Sequence, residues 1–329
     1  MTATVATAST SSRNIKTVDV SYARRSGTVS NDAGTTLNVA VSTAGKNKQD
    51  VGVFASIDNV ALFRDALATV LAIKESDLRY KGRDRAAYLA FLMKKGKKAT
   101  AAIWDAQKTF LEESFKAAVT TRELDPLLTV HPDEVSIEVF SKDESAWARL
   151  AIKNVALKDR AVAHGSTFIE LSKETLGDVE SIPAYRPLTL EARSTPSTAA
   201  DVRSRHYDVP HAWLRGFLQV QSAATLPATV ATLAPIDLYN VLLQLRLKKA
   251  KNPPRGLRFE LVPGEKPRVV IEPWEVVLET HGPVFSGSAP KIARLFGRAR
   301  LALLQRLLPW AKAVHVHVLG AGLPSFFVV

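Results

Sequence analysis

The chain has 329 residues, of which 46% are hydrophobic and 23% are charged, so it can bury one large core or two ordinary ones. It has no cysteine, which excludes disulfides and thiolate metal sites and suits a reducing cytoplasm. No uninterrupted apolar run reaches the roughly 20 residues that a membrane span needs. We therefore expect a cytoplasmic protein without a membrane segment.

The formal net charge of +12 is unevenly distributed along the chain. Residues 79–98 hold eight basic residues against a single acid, and residues 246–258 hold six and no acid. From residue 280 to the end there are six more basic residues and again no acid. Such patches bind nucleic acid or an acidic protein, or they are ordinary solvated surface.

The N-terminal half is predicted to begin with a tail and short strands and to continue as helices. Residues 1–13 are rich in Thr, Ser and Ala without periodicity, which predicts a disordered tail. Asp58 can cap a helix that runs to residue 74, with Phe63, Leu67 and Val70 facing inward. The other elements predicted here are strands over 15–23, 36–42 and 51–56 and helices over 84–93 and 100–119.

The middle of the chain has one clear strand and one Pro-rich boundary. Residues 134–140 alternate apolar and polar side chains, which predicts a one-sided strand. Ser141 and Glu144 have the spacing of a capping box, so we predict that a helix follows and buries Trp147 and Leu150. Residues 167–171 are a further predicted strand. Residues 182–200 are rich in Pro, Ser and Thr and are predicted to be a linker or long loop.

The second half is organised around residues 208–280. Residues 236–249 are apolar over most of a helical circumference, which predicts a buried helix. Two strands, 257–262 and 268–271, flank the turn sequence Pro-Gly-Glu-Lys and predict a hairpin. The other elements predicted here are a helix over 211–221, a strand over 276–280, a helix over 290–308 with Ile292, Phe296, Ala299, Leu303 and Leu307 inward, and a closing strand over 314–319.

Together these patterns predict an α+β fold. The N-terminal half is expected to be helix-rich with short strands, and the C-terminal half to hold a buried helix, an antiparallel hairpin and a closing strand. We expect an N-terminal α+β domain over 14–181 and a C-terminal α+β domain over 201–329, with one continuous domain as the alternative.

The sequence contains no recognisable catalytic motif. It lacks a Gly-x-Ser-x-Gly elbow, a phosphate loop, a dinucleotide fingerprint and a two-histidine helical zinc motif, so we predict neither an enzyme nor a cofactor. His315 and His317 share one face of a predicted strand. Zinc needs at least a third ligand, for which His281 is the nearby candidate, and solvent-facing histidines are the simpler interpretation. A metal-dependent hydrolase is therefore the least favoured hypothesis.

The basic patches carry the residues that we predict to bind a partner. In the first patch cations surround Tyr80, and a tyrosine can stack on a base while cations neutralise phosphates. Arg215 belongs to a predicted amphipathic helix. The turn over 248–258 lies between the predicted buried helix and the hairpin, and we interpret it as a docking surface. The predicted partner- or nucleic-acid-binding residues are Arg79, Tyr80, Lys81, Arg83, Lys97, Lys98, Arg215, Lys248, Lys249, Lys251 and Arg255.

Three passages carry a family resemblance: DLRYKGRDRAAYLAFLMKKG (77–96), WLRGFLQVQSAATLPATVATLAPIDLYNVLLQLRLKKAKNPPRGLRFELVPGE (213–265) and HVHVLGAGLPSF (315–326). They resemble the non-zinc region of bacterial SWIM zinc-finger family proteins, which occur with MoxR-type AAA+ ATPases and von Willebrand factor A proteins. The resemblance implies a non-catalytic adaptor in a multi-component bacterial system with a defence-related or chaperone-like role.

The chain departs from that family in one respect. A SWIM finger needs a set of cysteines and a histidine, and this sequence has no cysteine, so the zinc site cannot be carried over. The apolar end, Phe326 to Val329, leads us to expect either a truncated form or a strand that pairs with a partner. The hypotheses are thus an adaptor beside an AAA+ ATPase and a von Willebrand-type protein or, alternatively, a nucleic-acid-binding module.

Overall fold

The computed structural model describes most of the chain. It covers residues 17–42, 51–78, 125–193, 203–208, 211–249, 255–320 and 323–329, without the side chains of 17–19, 203–208 and 211–215. The tail predicted over 1–13 and the helices predicted over 84–93 and 100–119 lie outside the described residues.

A nine-stranded mixed sheet forms the N-terminal part. Its order is β7-β6-β5-β9-β3-β10-β4-β8, with β2 paired to β3, and only β10 and β3 run parallel. Residues 188–193 of the predicted linker form β10, which lies inside the sheet between β3 and β4. The strands are β2 (Gly27–Asn31), β3 (Gly34–Val41), β4 (Gly52–Ile57), β5 (Leu127–Val130), β6 (Glu134–Phe140), β7 (Trp147–Lys153), β8 (Leu157–Ala163), β9 (Gly165–Glu170) and β10 (Leu188–Arg193).

The prediction of a helix-rich N-terminal half was wrong for the part of it that the structure describes, which is built mainly of strands. The helix predicted to follow Ser141 and to bury Trp147 and Leu150 does not form, because residues 147–153 are β7 and pair with β6. Ser141 and Glu144 make a turn instead of a capping box: the Ser141 amide donates to the Ala146 carbonyl at 2.9 Å, and Glu144 has φ 57°. Side chains that cap helices also stabilise turns, so the local signal fits both structures.

Two helices, α1 (Val60–Glu75) and α2 (Lys173–Glu180), pack against one another and contribute buried side chains to the core of this sheet. The cap of α1 is Asn59, whose side-chain oxygen accepts from the Leu62 amide at 3.0 Å, and not Asp58 as predicted. Phe63, Leu67 and Val70 are buried, which confirms the predicted inward face. A short 3-10 helix (Asn154–Ala156) joins β7 to β8.

The C-terminal part has two smaller antiparallel sheets. One has the order β12-β17-β18 and the other β15-β14-β13-β16, in which the predicted hairpin is confirmed as β13 and β14. A pair of strands, β1 (Thr17–Tyr22) and β11 (Arg203–Asp208), stands apart from both. The remaining elements are α3 (His211–Thr225), β12 (Thr229–Leu233), α4 (Pro235–Leu247), β13 (Leu257–Leu261), β14 (Arg268–Ile271), β15 (Val276–Glu279), β16 (Lys291–Leu295), a long 3-10 helix (Arg298–Leu307), β17 (Val314–Val318) and β18 (Ser325–Val328).

The prediction of a helix over 290–308 was also wrong. Its first part is β16, which completes a sheet by pairing with β13, and its second part is the long 3-10 helix. Gly297 separates the two with φ 76°, a left-handed conformation that an α-helix interior excludes. Ile292 and Phe296, predicted to face a core, are 69% and 70% exposed. Strand pairing across the sheet therefore outweighs the helical spacing of these apolar residues.

The long 3-10 helix connects the two halves by packing on α1. Near its start, Arg300 donates to both carboxylate oxygens of Asp143 in the β6–β7 turn. Farther along, Arg306 Nη2 donates to Glu180 Oε1 at 2.6 Å. Beyond its end, Trp310 Nε1 donates to Asp65 Oδ2 of α1 at 2.9 Å. A line of polar contacts thus fixes the C-terminal sheets against the N-terminal helices.

Candidate docking surface

Helix α4 carries an exposed row of apolar side chains. Its inner face packs into the C-terminal core through Leu238, Val241 and Leu242, which are at most 4% exposed. Its outer face holds four large apolar residues at spacings of three, four and four, which places them on one side of the helix. These residues, named here the α4 stripe, are Ile236, Tyr239, Leu243 and Leu247, with exposures of 51%, 42%, 37% and 68%.

The α4 stripe extends for roughly 16 Å, given a rise of about 1.5 Å per residue. Asp237 is the only acid on the helix and it is buried, so the outer face carries no negative charge. Exposed Arg246 and Lys249 add positive charge at the C-terminal end. A continuous apolar row bordered by charge of one sign is typical of a surface that binds another molecule.

Asp237 fixes the orientation of α4. One carboxylate oxygen accepts from the amides of Ala234 at 2.8 Å and Gly282 at 3.1 Å. The other accepts from the amide and from Nδ1 of His281, both at 2.8 Å. A single buried carboxylate therefore ties the start of α4 to the chain just after β15, and this determines which helix face is exposed.

Basic side chains surround Trp274 where the α4 stripe ends. Lys248 Nζ and Arg298 Cζ each lie 5.8 Å from the centroid of the Trp274 ring, within the range of a cation–π interaction. Arg298 Nη1 also donates to the Glu272 carbonyl at 2.9 Å. Burial lowers the pKa of the Arg298 guanidinium, and the positive charge of Arg255 lowers it further. We name Lys248, Arg255 and Arg298 the basic cluster.

The carboxylates near the basic cluster are bonded to other arginines. Arg258 donates to Glu275 through two nitrogens, at 3.1 and 2.6 Å, and this hydrogen bonding lowers the pKa of the Glu275 carboxyl. Glu260 also accepts from Arg258, and Glu272 accepts from Arg294 Nε at 2.7 Å. Within the described residues, no carboxylate forms an ion pair with a member of the basic cluster; the ion pairs of Glu260, Glu272 and Glu275 are with Arg258 and Arg294.

The structure places part of the predicted binding set on this surface. Lys248 is half-buried at the end of α4, and Lys249 and Arg255 are exposed beside it. Arg215 lies in α3, but its side chain is outside the described residues. The predicted residues that lie wholly outside the described part of the chain are Arg79, Tyr80, Lys81, Arg83, Lys97, Lys98 and Lys251.

The two histidines of the metal hypothesis lie on β17 in the three-stranded sheet. His315 is exposed, and its Nδ1 lies 3.0 Å from Thr232 Oγ1 on β12. His281, the third ligand considered from sequence, pairs with Asp237 instead. In the part of the chain that the structure describes, no three histidine or acidic residues are grouped so that they could hold a metal ion.

Trp274, Phe296, Arg298 and the α4 stripe were missed as functional candidates. The sequence did contain a signal for the stripe, because α4 has more apolar residues than a single buried face of a helix needs. Trp274 follows a strand within a turn, where no periodicity marks it. Arg298 was assigned to a helix that does not form.

Comparisons with known proteins add little about function. No protein-family model and no curated protein matches the chain. Three solved structures share part of its geometry: the proliferating cellular nuclear antigens of Entamoeba histolytica and Thermococcus kodakaraensis and a DNA polymerase III β subunit from Eubacterium rectale. The Entamoeba protein has a TM-score of 0.48 at 8% identity over 84% of this chain and 93% of its own.

The other two structures are similar to the same degree. The Eubacterium protein has a TM-score of 0.48 at 5% identity, over 92% of this chain and 69% of its own. The Thermococcus protein has a TM-score of 0.47 at 11% identity, over 84% and 93%. Scores below 0.5 do not establish a common fold. Separately, no helix among the described residues is long and apolar enough to cross a membrane.

Proposed function

We propose that the protein is a non-catalytic adaptor that uses the α4 stripe to bind an amphipathic helix of a partner protein. The observation that carries the proposal is the row Ile236, Tyr239, Leu243 and Leu247, exposed on a helix whose other face is firmly packed. A partner helix with apolar residues at matching spacings can bury these four side chains in the helix-against-helix manner of many peptide complexes.

The charge around the stripe defines the chemistry of the partner. Arg246 and Lys249 lie exposed at one end, while the helix exposes no acid. Acidic residues at one end of the partner helix would match these cations, which favours correct orientation and faster association. We therefore propose an acidic amphipathic helix as the partner. That a MoxR-type ATPase or a von Willebrand-type protein supplies it follows from the family resemblance alone.

A designed peptide tests this proposal. The probe is a labelled acidic helix with leucines at spacings of three, four and four and glutamates at one end, and fluorescence anisotropy measures its affinity. Leu243→Asp puts a charge in the middle of the stripe, and we expect affinity to fall about tenfold or more, as for central interface residues. A second peptide with lysines in place of the glutamates should bind the wild-type protein more weakly.

The matched control is Val155→Asp, which places the same charge on an apolar residue that is 88% exposed in the short 3-10 helix. It should bind the acidic peptide like the wild-type protein. Equal affinities for Leu243→Asp and Val155→Asp would contradict the proposal. Sedimentation velocity tests whether the stripe binds a second copy of this chain. A wild-type dimer that becomes a monomer in Leu243→Asp would show that it does, and would contradict the proposal of a partner helix.

A further inference from the structure

We propose that the end of this surface beyond α4 is a separate binding site for single-stranded nucleic acid, in which the basic cluster holds phosphates and Phe296 stacks on a base. This goes beyond the adaptor function, because the ligand and the side chains that bind it are different.

The positive charge of the basic cluster is the first observation in favour of this site, because none of its three members forms an ion pair among the described residues. Lys248 and Arg298 both lie against the Trp274 ring, and Arg255 is near enough to Arg298 to lower its pKa. Glu260, Glu275 and one carboxylate oxygen of Glu272 bond to Arg258 and Arg294. Like charges that approach one another repel, and a bound phosphate oxyanion relieves that repulsion.

The second observation is the position of Phe296. Its ring is 70% exposed at the end of β16, although its sequence neighbour Leu295 is buried. A methyl group added at Gly256 would lie only 3.7 Å from Phe296 Cε1, so the ring lies beside the residue that follows Arg255. An open aromatic face next to clustered cations is the arrangement with which proteins bind unpaired nucleotides.

The same geometry favours single strands over the other phosphate-bearing ligands. Bases in a duplex are stacked on one another, so Phe296 has no base face to contact there. A phosphorylated peptide would use the basic cluster but gives Phe296 no base to stack on. We therefore expect affinity to depend on both the cations and the ring, and to fall with salt as bound phosphates release counterions.

The test uses the full chain and a fluorescein-labelled oligothymidine of roughly 16 nucleotides, a length that one such site can span. Anisotropy titrations at several salt concentrations give the affinity and its salt slope. We expect Phe296→Ala to weaken binding roughly 5- to 150-fold without changing the slope. Arg255→Glu should weaken binding about tenfold at low salt and reduce the slope by about 0.7 for each phosphate that the protein no longer neutralises.

Lys312→Glu is the matched control for the change in charge. Lys312 is exposed beyond the far end of the long 3-10 helix, roughly 20 Å along that helix from Arg298 at about 2 Å per residue. The affinity of Lys312→Glu for the oligothymidine should stay within about twofold of the wild-type value. Because Phe296 and Arg255 are exposed, we expect both variants to keep the wild-type circular dichroism spectrum and melting temperature.

Several results would overturn the inference. One is that Phe296→Ala binds the oligothymidine as tightly as the wild-type protein. Another is that Arg255→Glu and Lys312→Glu lower the affinity for the oligothymidine by the same factor. A duplex that binds as tightly as the single strand would show a purely electrostatic surface. Displacement of the oligonucleotide by inorganic phosphate at equal phosphate concentration would indicate a free-phosphate site, and tighter binding of a phosphoserine peptide would indicate a protein ligand. None of these results bears on peptide binding at the α4 stripe.

Discussion

Replacing Asp143 with alanine is expected to lower the free energy of unfolding by about 3–5 kcal/mol, the largest effect that we predict for a single substitution. The Asp143 side chain is 4% exposed and the Arg300 side chain 13%. Removing the carboxylate leaves a nearly buried guanidinium without its counter-charge. It also removes the acceptor for Ser141 Oγ at 2.6 Å and the Leu78 amide at 3.0 Å. Urea denaturation followed by circular dichroism measures the change.

Two comparisons separate this effect from a general loss of charge. Asp133→Ala removes an acid whose side chain is 77% exposed, 3.9 Å from Lys153, and should cost less than about 1 kcal/mol. In a double-mutant cycle, Asp143→Ala combined with Arg300→Ala should be less destabilising than the sum of the two single changes. Strict additivity would show that the ion pair does not join the two halves.

Asp143 also predicts how stability depends on pH. Burial raises the pKa of its carboxyl, but hydrogen bonds from Arg300, Ser141 and the Leu78 amide outweigh burial, so the pKa lies well below its ordinary value. A lowered folded-state pKa gives stability that is present above the unfolded-state value of about 4 and is lost as pH falls below it. The difference in free energy of unfolding between the wild-type protein and Asp143→Asn should therefore become smaller as the pH falls from 7 to 3. A constant difference over that range would contradict the assignment.

Asp237→Ala is expected to have the second-largest effect, about 2–4 kcal/mol, because it leaves buried donors unpaired. The amides of Ala234, His281 and Gly282 all lose their acceptor in this variant. The start of α4 is then no longer attached to the chain after β15. We expect lower stability in urea denaturation and weaker binding of the acidic peptide, since the α4 stripe depends on the orientation of its helix.

The control for Asp237→Ala is Glu279→Ala, which removes an exposed acid from the neighbouring strand β15. Its stability should change by less than about 0.5 kcal/mol, as for most surface substitutions. If both variants were equally stable, the hydrogen bonds of Asp237 would not hold α4 in place.

The sequence was sufficient to predict the existence of elements with a strong local pattern. The strand at Glu134–Phe140 and the hairpin of β13 and β14 were predicted from local pattern and turn chemistry, and both form in the structure. The strand was predicted to be one-sided, which was wrong, because it is buried on both faces. The predictions for residues 147–153 and 291–295 failed because these segments pair with neighbouring strands, and a single sequence does not show which segments will pair. Local helical spacing was therefore misleading at both places.

The candidate surface was only partly predictable for a related reason. A helix that is apolar on most sides can be surrounded by its own fold or can bind a partner. Helix α4 was predicted to be the first kind, a buried helix, and this was wrong for the face that carries the α4 stripe. Which of these applies depends on how many elements pack around it, and α4 has core on one side only. Lys248, Lys249 and Arg255 were predicted from charge, whereas Trp274 and Arg298 join them only through folding.

Site-directed cross-linking tests the central claim most directly. The acidic peptide carries a photoreactive residue among its leucines, is irradiated with the full chain, and the cross-linked positions are found by mass spectrometry. The adaptor proposal predicts cross-links within residues 235–247, which disappear with Leu243→Asp and persist with Val155→Asp. Cross-links that fall elsewhere, with α4 unmodified, would contradict it.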